Sequence, residues 1–310
     1  MVLGSKFVLP QPMRLQNFLE ATHPPLRYSF EAIASDRELA QQIQVRLKSL
    51  QYLDSVADGN FGPISTLALR NFQKAAECNE PDFLGAVTAK KLIETRPEQI
   101  TQPPIYLSND LPGKILKYMQ AKDYAIFQGE QYFNIIYVEG LDADGRKNAD
   151  IRNQFNDRRI IIEIINGVPW ILGNWEATTE PGDYYTYAPM NKGGAARIKF
   201  GQYRAWQVGT HGNAEPHRAL IQVQPVTVFR DLNKDFSRIG DKTETGLFGI
   251  NQHWGYDLPY NDVHNASAGC LVGRTRDGHR EFMRLIKQDK RYMANNAYVF
   301  YTTVIPGDEL

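Results

Sequence analysis

The chain has 310 residues, 42% hydrophobic and 23% charged, which is long enough for two domains and for a core that needs no disulfide staples. Lysine plus arginine balances aspartate plus glutamate, 35 against 35, so the electrostatic footprint of a nucleic-acid or anionic-membrane binder is missing. The two cysteines, Cys78 and Cys270, are too few for a disulfide framework and too far apart for clustered zinc ligands, so each is read alone. Met1 to Phe30 hold no apolar stretch of signal-peptide length, and the run Ile160 to Ile165 is short and interrupted by Glu163. The expectation is a monomer with no membrane span, no leader and no nucleic-acid partner.

Residues 1–35 are punctuated by Pro10, Pro12, Pro24 and Pro25 and read as an irregular lead-in. From Asp36, Leu39, Ile43, Leu47 and Leu50 recur at helical spacing, and Asp54, Asp58 and Gly59 supply the stop near Leu53. A second helix follows Gly62-Pro63-Ile64-Ser65, with Ser65 as its expected N-cap and Leu69, Phe72 and Ala76 as its buried face. After a turn at Pro81-Asp82, Thr88 is expected to open a third helix bearing Leu92 and Ile93. Gly59 and Gly62 permit a tight loop between the first two helices, and Phe61 plugs the bundle.

In order and spacing, Ile43 to Leu47, Leu50 to Leu53, Asp58 to Pro63, Ala68, Phe72-Gln73 and Gly85 to Thr88 with Leu92 resemble the bacterial peptidoglycan-binding domain of three helices. The resemblance covers nearly all of residues 36–96 and implies a glycan or stem-peptide ligand in a shallow groove, with Asp58, Gly59, Phe61 and Gly62 as its signature positions.

Residues 97–119, with Pro97, Pro103, Pro104 and Pro112, read as a semi-rigid linker. Beyond it, Tyr132 to Val138, Ile160 to Ile165, Val226 to Phe229 and Tyr298 to Tyr301 are strand-like, with Asp144-Gly145 and Asn166-Gly167 as turns. Only Arg280 to Lys287 reads as a helix there. The fold class is therefore multi-domain α+β: a three-helix bundle, then a mostly β domain over residues 120–310.

The chemistry concentrates in Gly249-Ile250-Asn251-Gln252-His253-Trp254-Gly255 and Asn265-Ala266-Ser267-Ala268-Gly269-Cys270. A free cysteine is usually a small buried hydrophobe. Here Ser267 and Gly269 precede it, and small residues let backbone N–H groups turn to one point, as an oxyanion hole requires. His253, at the end of an apolar strand-like run, is expected to lie across a hairpin from Cys270 and to act as its base, lowering the thiol pKa below ~8.5.

His253 followed by Ser267-Ala268-Gly269-Cys270 resembles the L,D-transpeptidase signature, and Thr179-Glu180-Pro181-Gly182-Asp183-Tyr184 resembles a segment of that family beside the cleft. The resemblance implies a fold and a mechanism. Cys270 attacks a stem-peptide carbonyl, His253 moves the proton, and the N–H groups of Gly269 and Cys270 hold the oxyanion. The acyl group then passes to an amine or to water. No cofactor and no metal are implied. Trp254, His264, Arg274, Tyr184 and His211 are the candidate substrate-binding residues, with His264 also weighed as an alternative base.

The chain departs from the family pattern at Val272, where an arginine is usual, and at Trp254, where glycine is usual; Trp254 is expected to narrow the cleft. His211 and His217 sit where they could border the cleft but read first as solvated loop residues, and His23 and His279 read as surface ones. Asp231-x-Asn233-x-Asp235 hints at a calcium loop but has Phe236 and Lys242 where glycine and glutamate are needed, so Arg230 and Asp231 read as a local pair. The alternatives are a zinc peptidase using His211, His253 and His264, and a non-catalytic wall-binding protein with a decayed site. Action at the cell wall follows, by way of a phage component, an injected cargo or a chain lacking its leader.

Overall fold

The computed structural model describes residues 13–20, 23–99 and 103–310. The chain divides into two compact units, residues 1–102 and 103–310.

The first unit runs β1 (Tyr28–Ser29), α1 (Phe30–Ala34), α2 (Arg37–Ser49), α3 (Pro63–Ala75), β2 (Phe83–Leu84) and α4 (Ala86–Glu94), with β1 antiparallel to β2. Asp36 caps α2 by accepting from the Leu39 N–H at 3.1 Å. The α2 stripe, Leu39, Ile43 and Leu47, is fully buried with Leu69 and Phe72 of α3 and Leu92 of α4. Each such side chain contributes about 1.5–3 kcal/mol.

Three expectations need correction. The described part of the lead-in is part of the core, because Leu15, Phe18, Phe30 and Ile33 are buried in the same cluster. Gly62, not Ser65, is the N-cap of α3: Pro63 takes the first turn, where its missing N–H costs nothing, and the Ser65 hydroxyl is buried against Gln44 Nε2 at 3.0 Å. Thr88 lies inside α4, whose free N–H groups are capped from a distance. Glu80 accepts from the N–H groups of Gly85, Val87 and Thr88 at 3.2, 3.1 and 2.8 Å.

The second unit begins with α5 (Leu111–Ala121). It continues through β3 (Gly129–Glu139), β4 (Asp157–Ile165), β5 (Val168–Thr178), α6 (Asp183–Tyr187), β6 (Ala195–Ile198), β7 (Gly201–His211) and β8 (His217–Gln222). Then come β9 (Val226–Asp231), β10 (Lys242–Gly246), β11 (Gln252–Trp254), β12 (Leu271–Gly273), α7 (Arg276–Ile286), α8 (Lys290–Ala294) and β13 (Phe300–Pro306). Eight strands close a barrel in the order β11-β12-β5-β4-β3-β13-β7-β8, and β10-β9-β6 form a separate three-stranded sheet.

The α5 helix corrects the linker reading. Pro112 and Gly113 look like breakers, but Pro112 sits in the first turn, Asp110 caps it by accepting from the Gly113 N–H at 3.0 Å, and Ile115, Leu116 and Met119 are buried. They pack with Ile136, Val138, Ile160, Ile162 and Ile164, which explains the apolar character of β4: a helix covers its outer face. The reading of a single helix beyond residue 120 is corrected likewise by the short helices α6 and α8. At the β4–β5 turn Asn166 and Gly167 both have positive φ, 51° and 80°, as a two-residue hairpin demands.

Candidate active site

Strands β11 and β12 are parallel, with His253 opposite Val272. The hairpin expectation is therefore corrected: the stretch between the two strands returns the chain to the same end. That crossover brings Cys270 to the entrance of β12, where the next residue, Leu271, donates its N–H to the Asn251 carbonyl at 2.9 Å.

The Cys270 thiol is held from two sides. The Asn251 N–H donates to Sγ at 3.4 Å, and the thiol donates to the Gly249 carbonyl at 3.4 Å. The residue packs with Phe155, Val263, Ala266 and Val272, and this burial pushes the thiol up to about 11, an effect the Asn251 N–H only partly offsets. A thiol pKa below ~8.5 is thus not what this environment produces.

Ser267 is buried and its hydroxyl ties the loop together, accepting from the Gly269 N–H at 3.1 Å and donating to the Cys270 carbonyl at 3.0 Å. Gly269 has φ +119°, and a Cβ there would lie 2.3 Å from the Ala196 carbonyl oxygen of β6, so only glycine fits. The Gly269 N–H expected in an oxyanion hole is therefore engaged by Ser267, while the Cys270 N–H makes no bond to protein among the described residues. The Thr179 to Tyr184 segment reaches this loop directly: the Gly182 N–H donates to the Ser267 carbonyl at 2.9 Å. Behind it, Thr179 binds the buried carboxylates of Asp157 and Glu139, at 2.6 and 2.5 Å.

The His253 ring is buried. Its Nδ1 faces the Trp254 carbonyl at 2.7 Å, so Nδ1 carries the proton and Nε2 is the basic nitrogen. It stacks on His211 with ring centres 4.0 Å apart and planes 11° apart. Burial first, and the neighbouring His211 second, hold His253 well below the usual histidine range. His211 is lowered too, chiefly by burial. The Asn251 amide joins them: its oxygen accepts from the Gln222 N–H at 2.9 Å, and its nitrogen donates to His211 Nδ1 at 3.1 Å. Cys270, His253 and His211 are therefore all neutral at neutral pH, and they line one cleft of about 820 Å3.

The remaining candidates fall elsewhere. Trp254 stacks on His217, ring centres 3.7 Å apart, and does not line the cleft. His264 is exposed, with its ring edge on Tyr184 at 5.6 Å, and neither residue lines the cleft, whereas Tyr185 does. Arg274 is engaged by Glu176 and the Leu258 carbonyl, away from it. His211 and His217 are no solvated loop pair, since they face each other at the ends of β7 and β8. His279 is buried in α7, accepting from Arg159 at Nδ1 (3.1 Å) and donating from Nε2 to the Arg218 carbonyl (2.8 Å). Arg230 and Asp231 do not pair: Arg230 binds Glu244, and Asp231 accepts from the N–H groups of Asp235 and Phe236. Among the described residues no three His, Cys, Asp or Glu side chains are grouped to hold a metal.

Two residues of the site were missed. Asn251 lies just before β11, two positions from His253, and its amide reaches the His211 ring that stacks on His253. Arg230 lines the cleft from β9, and nothing local in the sequence marks it.

In the first unit the Asp58 to Gly62 loop is organised by Gln44. Its amide nitrogen donates to Asp58, the Asn60 carbonyl and Ser65, and its oxygen accepts from the Gly59 N–H at 2.7 Å. Gly59 has φ +79°, and Phe61 is buried against Phe30. Two surface grooves of this unit, of about 770 and 490 Å3, contain none of Asp58, Gly59, Phe61 and Gly62.

Residues 36–82 match the family model of a putative peptidoglycan binding domain, which supports peptidoglycan as a partner and the cell wall as the place of action. No curated protein matches the chain. Two solved structures are similar. One is a fused Zn-dependent amidase/peptidase/peptidoglycan-binding domain-containing protein from Clostridium acetobutylicum, with 13% identity and a TM-score of 0.28, covering 90% of this chain and 99% of that one. The other is an L,D-transpeptidase from Xylanimonas cellulosilytica, with 15% identity and a TM-score of 0.25, covering 86% and 92%. Likeness at this level bears on no residue's role.

Proposed function

We propose that this chain is a peptidoglycan-modifying cysteine acyltransferase or peptidase that works on stem peptides in the manner of an L,D-transpeptidase, with its first unit holding the wall. One observation carries the reading. Cys270, its sulfur gripped by the Gly249 carbonyl and the Asn251 N–H, lines the same cleft as His253, whose proton is fixed on Nδ1.

The groups start neutral, so the thiolate forms in the act of attack rather than waiting as an ion pair. Nε2 of His253 takes the thiol proton, sulfur bonds to the amide carbon, and the oxyanion faces the Cys270 N–H. The C–N bond then breaks, and the leaving amine takes the proton back from His253. An amine or water next attacks the thioester and restores the thiol. His211 keeps the His253 ring in place by stacking.

The test is mass spectrometry of muropeptides after purified sacculi are incubated with the protein. Loss of terminal stem residues, or new cross-links, is the expected result, with Cys270→Ala inert. Unchanged muropeptides would overturn the reading.

A further inference from the structure

The cleft is lined by a single cation and by no aspartate or glutamate among the described residues. Its two histidines are neutral at pH 7, which leaves Arg230, paired on one side with Glu244, as the cationic group of its lining. This side chain is built in rather than draped. Burial leaves it 6% exposed, its Nε donates to Glu244 of β10 at 2.7 Å, and its guanidinium lies 4.6 Å from the Phe248 ring centre. Those contacts fix the plane of the fork, while the two terminal nitrogens make no hydrogen bond to protein among the described residues.

The sheet places Arg230 one strand away from the loop that carries the nucleophile. Arg230 pairs with Ala196 across β9 and β6, and the Ala196 carbonyl packs directly on Gly269, the residue before Cys270. Ala196, Arg230 and Cys270 all line the same cleft. Arg274, by contrast, is already taken by Glu176 outside the cleft.

We infer that Arg230 is the specificity residue of the cleft and binds a free carboxylate on the donor peptide, the terminal carboxylate of the residue that is expelled. A fixed guanidinium whose Nη1–Nη2 edge is open matches a carboxylate in fork geometry, which a lysine would not reproduce. Arg230 lines the same cleft as Cys270, so a donor seated there for attack meets the guanidinium on the cleft wall. The inference rests on Cys270 acting as the nucleophile toward stem peptides.

The experiment uses the full chain and two donors, a stem tetrapeptide with a free C-terminal carboxylate and the same peptide as its C-terminal carboxamide. Acylation of Cys270 is followed by intact mass, and release of the last residue by chromatography. Wild type should prefer the free acid by about tenfold or more in kcat/KM, mostly through KM, as a charge-assisted bidentate pair requires. Arg230→Gln should shrink the preference to below about twofold, and Arg230→Lys should leave an intermediate ratio. Because both donors meet the same preparation, the ratio is insensitive to any fraction that fails to fold. Equal use of the two donors by wild type, or an unchanged preference in Arg230→Gln, would overturn the role of Arg230 while leaving the nucleophile standing. Acylation by neither donor would sink the nucleophile, and this inference with it.

Discussion

The backbone N–H of Asn251 donates to the sulfur of Cys270 at 3.4 Å, while the side chain of the same asparagine holds His211 at 3.1 Å. One residue thus sets both the nucleophile and the ring stacked on its base. Asn251→Ala would strand the buried Gln222 N–H and free His211, a loss of about 1–3 kcal/mol. Its backbone bond to sulfur would survive. Urea unfolding should show the drop, and unchanged stability would mean that water replaces the amide.

The resting state makes a pH prediction. With the Cys270 thiol pushed up to about 11 by burial, its thiolate is scarce at pH 7, and alkylation by iodoacetamide should keep accelerating beyond pH 9. A plateau near neutrality would reveal a preformed ion pair with His253. Protection from burial should slow Cys78 as well, since its thiol is raised by the same cause.

His279 supplies the stability counterpart. Its folded pKa lies well below the ordinary value, from burial first and then from Arg159, with His253 and His217 adding to it. The unfolded chain therefore binds the proton more readily, so the contribution of this group is present above pH ~6.5 and is lost as pH falls. Thermal unfolding should show a smaller loss between pH 7 and pH 5 in His279→Gln than in wild type. An identical slope would mean that other groups carry the acid sensitivity.

Gly269 tolerates no side chain. Gly269→Ala combines a φ of +119° with a Cβ 2.3 Å from the Ala196 carbonyl oxygen, and should cost at least about 2 kcal/mol and displace Cys270. Denaturant midpoints would measure the first effect, and loss of turnover on sacculi the second. Arg274→Ala, outside the cleft, should retain activity within about threefold, whereas His253→Ala should fall to the level of Cys270→Ala.

The first unit should bind sacculi as a fragment of residues 1–102, without activity. A fragment starting at residue 36 should not fold, because it lacks Leu15, Phe18, Phe30 and Ile33. Those four buried side chains contribute about 6 kcal/mol or more together, comparable to the whole stability of a small domain. Circular dichroism and co-sedimentation would decide between the two fragments, and equal binding would reduce the lead-in to an ornament.

Short-range patterns were legible in the sequence. The α2 stripe, the Asn166-Gly167 turn and the strand character of Ile160 to Ile165 are local properties, and His253 and Cys270, singled out from two compact motifs, line one cleft. Long-range geometry was not legible. The Glu80 cap of α4, the Arg230 side chain in the cleft and the stacking of His211 on His253 each join segments whose separation carries no sequence signal. Direction misled as well: β11 and β12 run parallel, which a short motif spacing cannot reveal. Composition misled at Pro112 and Gly113, where breaker residues sit in the one helical turn that accepts them.

The central claim is that Cys270 accepts an acyl group. Intact-mass spectrometry of the full chain after incubation with a carbapenem, whose strained amide imitates the donor, tests it most directly. The account predicts one covalent adduct on Cys270, absent in Cys270→Ala and much slower in His253→Ala. No adduct, or an adduct that persists in Cys270→Ala, would contradict it.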